Sequence, residues 1–128
     1  MPHPWQRKEI GRRLYAGSLI EKRNTALQLA KRVGAVRVED SRAAHLVGLA
    51  RVTTVQQYCE DDQRATSQID GGREPYLLVE DPYNPGELCT VEIYDRRVDA
   101  VETRTGLCWI HLARGDALVK PDTLVYWK

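Results

Sequence analysis

The sequence predicts an α+β fold, with an N-terminal helical bundle ahead of a small antiparallel β-barrel or sheet. Three observations predict it. From Pro4 to about Asp62 apolar residues recur at helical spacing, and from Tyr76 onward they alternate as in strands. Between these patterns lies Gln63–Pro75 (QRATSQIDGGREP), which has the polar, Gly-Gly and Pro content of a connection. The charge changes sign at the same place. Residues 1–59 hold eleven Lys/Arg against four Asp/Glu, a balance of +7, and residues 60–128 hold eight against fourteen, a balance of −6. The expected organisation is a helical unit over 1–65, a linker over 66–75 and an antiparallel β unit over 76–128, as separate parts or one composite domain. At 128 residues and 42% apolar, the chain can bury a core.

Pro4 sits where a helix can start, and Trp5, Ile10 and Leu14 give a first apolar edge before Gly17. Ser18–Glu21 (SLIE) has the form of a capping box. The helix it opens runs through Leu19, Ile20, Ala26, Leu27, Ala30 and Val33, with Gly34 as terminator. Ala35–Val38 is short and β-branched and reads as an extended connector. Asp40 or Ser41 then caps a brief helix through Val47. After Gly48, Thr53 and Gln56 (TTVQ) form a second capping box, opening a helix that ends near Asp62. Four short helices are expected in the first half.

Alternation places strands at Tyr76–Glu80, Leu88–Tyr94, Val98–Thr103, Leu107–Leu112, Ala117–Val119 and Thr123–Trp127, separated by DPYNPGE, DRR, RTG, ARGD and KPD. Short strands joined by tight turns make a small closed or half-open barrel. Trp109 and Ile110 fall on opposite faces of one strand, so at most one of them points into its interior. The ending GDALVKPDTLVYW resembles the last turns of a Src-homology-three-like barrel: strand, proline-containing one-turn corner, strand.

Ser41–Asp62 resembles the helix-turn-helix DNA-binding family over about twenty residues. Ala44 is the small residue four before the turn glycine, Gly48, and Val47 and Leu49 are the flanking aliphatics. In the second helix Val55, Tyr58 and Cys59 share one face. Thr54, Gln57 and Asp61 share the other, with Gln56 at its flank. The family's buried aliphatic falls six residues after the glycine, where this chain has Thr54. Val55 comes one residue late, which requires a longer turn. The acidic Glu60–Asp62 opposes the helix dipole at that end. The resemblance implies base reading by Arg51, Thr53, Thr54 and Gln57, and phosphate contacts from Lys31, Arg32 and Arg42. It also implies a homodimer, for which Val125 and Trp127 in the last strand are the expected contact.

Other chemistry finds little support. Cys59, Cys89 and Cys108 are widely spaced and the histidines His3, His45 and His111 are scattered, so neither a zinc site nor a disulfide framework is expected. Cys108 and His111 stand three apart on one strand and so face opposite ways. There is no phosphate loop or dinucleotide fingerprint, and no cofactor or enzymatic activity is expected. No apolar run approaches the ~18 residues of a membrane span, and the N-terminus lacks a secretory apolar region, which reads as cytoplasmic. Two function classes remain. One is a sequence-specific regulator, from a phage, plasmid or bacterium, that binds double-stranded DNA. The other is a small inhibitor or adaptor that binds a host protein target, for example a nucleic-acid machine.

Overall fold

The computed structural model describes residues 4–61, 73–95 and 105–128, with the side chains of the first helix from Leu19 onward. The elements are α1 (Pro4–Val33), a 3-10 turn (Ser41–Ala43), β1 (Val52–Thr54), α2 (Val55–Asp61), β2 (Pro75–Glu80), β3 (Leu88–Asp95), β4 (Cys108–Leu112), β5 (Gly115–Val119) and β6 (Leu124–Trp127). The strands form one six-stranded sheet in the order β1-β6-β2-β3-β4-β5, and every pairing is antiparallel. Five of the expected strands are present within two residues of their expected limits. The sixth, Val98–Thr103, and the Gly71–Gly72 joint lie outside the described residues.

Strand periodicity explains why the sheet is covered on both sides. Leu77, Val79, Ile93, Cys108, Ile110, Leu112, Val119, Val125 and Trp127 form the main core, closed by Val55, Tyr58 and Cys59 of α2 and Leu29 of α1. The alternate residues Leu78 and Leu124 pack beneath Val36 and Ala43 on the other face. Ile110 enters the main core, whereas its neighbour Trp109 joins Leu118 against Ala26 of α1. Leu29 and Ala26 thus meet opposite faces, so α1 straddles the β5 edge and hides a strand border that would otherwise invite pairing.

The Ala35–Val38 connector is extended, as expected. Val36 N–H donates to Leu78 O at 3.0 Å and Leu124 N–H to Val36 O at 2.9 Å, which wedges the connector between β2 and β6. Gly34 makes that entry possible. Its φ is 72°, and an added Cβ would stand 3.1 Å from the Glu80 Cβ.

The N-terminal half corrects the prediction of a helical bundle with a helix-turn-helix-like pair: the fold is dominated by its sheet. α1 runs unbroken through Gly17 and Ser18 for 30 residues, so SLIE does not start a helix. A glycine inside a helix costs only about 1 kcal/mol relative to Ala, and the burial of Ala26 and Leu29 further along offsets that. The brief helix expected through Val47 is a three-residue 3-10 turn, capped by Asp40, which accepts from Arg42 N–H at 2.9 Å. Val52–Thr54, expected to lead into the second helix, are strand. Three β-branched residues meet the open edge of β6 there, with Thr53 opposite Val125. The cap moves accordingly: Thr54 Oγ1, not Thr53, accepts from Gln57 N–H at 3.2 Å. No helix among the described residues is long and apolar enough to cross a membrane.

Candidate functional site

Three segments converge at one end of the sheet. The first is the last turn of α1, where Lys31 and Arg32 sit at the end of a helix that favours positive charge. The second is the β2–β3 turn, Asp81–Glu87 (DPYNPGE). Asp81 Oδ1 accepts from Tyr83 N–H at 2.9 Å, Asp81 Oδ2 accepts from Asn84 Nδ2 at 3.0 Å, and Asp81 N–H donates to Glu87 O at 2.9 Å. The bonds to the carboxylate, the Asn84 amide first and then the Tyr83 N–H, hold the Asp81 carboxyl below its ordinary range. With Pro82 and Pro85 on either side, the turn keeps Tyr83 88% exposed. The third segment is the β4–β5 turn, which contributes Arg114.

Between them lies a cleft of about 660 Å³. Its floor is apolar, with Val33, Val79, Val91 and Leu112, and its rim carries Lys31, Arg32 and Arg114. All three cations are exposed, and none has an acidic partner among the described residues. The two acids of the rim are engaged elsewhere. Glu80 accepts from Arg42 Nη1 at 3.1 Å, and Asp81 is turned into its own loop. The cleft therefore offers free positive charge above an apolar surface.

Arg37 and Arg42, between α1 and β1, behave differently. Arg42, expected at a phosphate, donates Nη2 to Asp40 Oδ2 at 2.6 Å and Nε to Asp40 Oδ1 at 3.0 Å. The Asp40 hydrogen bonds raise the Arg42 pKa and lower that of Asp40. Arg37 is held likewise, by Asp122 at 2.8 Å and Glu39 at 2.6 Å.

The expected base-reading residues do not form one free polar surface. Thr53 Oγ1 accepts from Trp127 Nε1 at 3.0 Å and Thr54 caps α2, so only Arg51 and Gln57 keep exposed side chains. The N-terminal end of α2 is docked on the β5–β6 corner. Val55 N–H donates to Thr123 O at 2.7 Å and Gln56 N–H to Pro121 O at 2.9 Å. Val125 and Trp127, the expected dimer contact, are buried in β6 between β1 and β2.

Two further groupings follow from the β4 pattern. Cys108 faces the main core, where a hydrogen bond from the Cys59 thiol lowers its pKa despite burial. His111 faces the other way and pairs through Nδ1 with Asp116 Oδ1 at 2.6 Å, with Lys22 Nζ 4.0 Å from that carboxylate. No group of three metal-binding side chains occurs among the described residues. Sequence reasoning singled out Lys31 and Arg32 but missed Arg114 and Tyr83, which read only as turn residues. A tyrosine between two prolines was the available signal. No protein-family model, curated protein or solved structure matches this chain.

Proposed function

We propose that this protein is a nucleic-acid-binding module that acts by occupancy, as a regulator does, and that it binds through the end of α1 and the adjoining cleft. One observation carries this reading: the positive charge is concentrated and, at the cleft, uncompensated. α1 holds eight Lys/Arg against two Asp/Glu, whereas the rest of the chain holds eleven against sixteen. Two of those eight, Lys31 and Arg32, and Arg114 from the β4–β5 turn give the cleft three exposed cations, each free to meet a phosphate. Placing the contact here, and not on α2, fits the engagement of the α2 amides with the β5–β6 corner.

Fluorescence anisotropy with a labelled random-sequence oligonucleotide tests it. Three phosphate contacts give a log–log salt slope of roughly −2 to −3. No binding at low salt would remove this reading.

A second reading, a protein-binding inhibitor or adaptor, draws support from a different surface. Val47 and Leu49 flank Gly48, whose φ is 92°, and expose apolar side chains on the turn before β1. In that reading Leu49→Glu abolishes capture of the partner and leaves oligonucleotide binding unchanged.

A further inference from the structure

We infer that the cleft holds an unpaired nucleobase of a single-stranded nucleic acid, with Tyr83 as its stacking surface. The inference rests on the nucleic-acid reading above and narrows its ligand.

The floor of the cleft decides the class. A duplex presents phosphates on its outside and keeps its bases stacked, so it can use the cationic rim but leaves the apolar floor of Val79, Val91 and Leu112 unfilled. A single strand can turn a base inward and fill both. Tyr83 is the second element. A large ring that is 88% exposed gains nothing for folding, yet Asp81, Asn84 and the flanking prolines hold its loop in one shape. Ordering before binding reduces the entropy lost when a base stacks on the ring. The cations supply the third element. Lys31 and Arg32 on α1 and Arg114 on the β4–β5 turn bracket the apolar floor, so a backbone can run across the rim while one base drops between them. At about 660 Å³ the cleft lies within the ordinary range for small-ligand sites. The Glu80 charge on the rim is offset by Arg42, and Asp81 faces its own turn, so neither acid is free to repel the strand.

The test compares a short oligo-dT, an oligo-rU of the same length and a duplex of that length, each binding to the full chain, its Tyr83→Ala variant and its Tyr83→Phe variant. Tyr83 is exposed, so these variants keep the fold, which circular dichroism verifies. At one salt concentration, a single strand is expected to bind roughly tenfold more tightly than the duplex. Tyr83→Ala should lose roughly tenfold on that strand and leave its salt slope unchanged, and Tyr83→Phe should retain the affinity. The effect in either single-strand arm supports the inference. Equal affinity for both single strands and the duplex, with Tyr83→Ala silent, overturns the inference alone and leaves nucleic-acid binding standing. Failure of all three probes at low salt overturns the nucleic-acid reading and the inference with it.

Discussion

The rim of the cleft and the connector around the Ser41–Ala43 turn both carry basic side chains, but they offer a ligand very different things. In the connector, Arg37 and Arg42 are fastened to Asp122, Glu39, Asp40 and Glu80. At the cleft, Lys31, Arg32 and Arg114 have no such partners among the described residues. The charge on each side chain is the same. What differs is how far that charge is already neutralised, and only the second set presents a field that an anion can use. A balance of +7 counted along the sequence does not distinguish the two.

The largest expected effect comes from inverting the free set. Lys31→Glu, Arg32→Glu and Arg114→Glu together should lower oligonucleotide affinity on the order of a hundredfold and flatten the salt slope by about two to three units. All three positions are exposed, so the fold should be kept, with a loss of about 1–2 kcal/mol because two glutamates then oppose the dipole at the end of α1. A smaller effect runs the other way. Asp40→Ala removes a cap and should cost about 1 kcal/mol of stability. It also strips Arg42 of its closer acidic partner and leaves only Glu80, so affinity should rise by up to a few-fold if paired charge is what silences that arginine. Unchanged affinity would break the comparison.

Acid sharpens it further. Asp40 and Asp122 are held below their ordinary pKa by hydrogen bonds from Arg42 and Arg37 respectively. The stability these pairs contribute is therefore present above the unfolded aspartate value and lost as pH falls through the folded values. A thermal-melt series should be flat from about pH 7 to 5 and decline below about pH 4, with Asp40→Ala reducing the decline. The smallest effect is expected at Gln57→Ala. If α2 does not enter a groove, this change should alter affinity by less than about twofold, against the roughly 1–3 kcal/mol that loss of a base contact would cost.

The same division between local and distant information explains what could be read from the sequence. The five described strands of the C-terminal half were legible because a two-residue period and turn chemistry are written locally, as DPYNPGE and KPD are. The N-terminal half was not. Gly17–Ser18 carries a valid stop-and-start signal, and TTVQ a valid capping box, yet each lost to a partner elsewhere in the chain. α1 continues through the first, and its later turns pack across β5. Val52–Thr54 join the edge that β6 leaves open, 70 residues or more away in sequence. The site was half legible for the same reason. Lys31 and Arg32 stood out on the polar face of a helix, whereas Arg114 and Tyr83 come to the cleft only when the end of α1 and two turns meet. Cys59 and Cys108 are a further pair that only the fold brings together.

The most direct test of the account is a backbone amide chemical-shift map of the protein titrated with a short single-stranded oligonucleotide at low salt. The account predicts that the shifts concentrate at Lys31–Gly34, Asp81–Tyr83 and Ala113–Arg114, with Arg51–Gln57 and Arg37–Arg42 nearly still. Shifts concentrated along Arg51–Gln57, with the cleft unmoved, would contradict it.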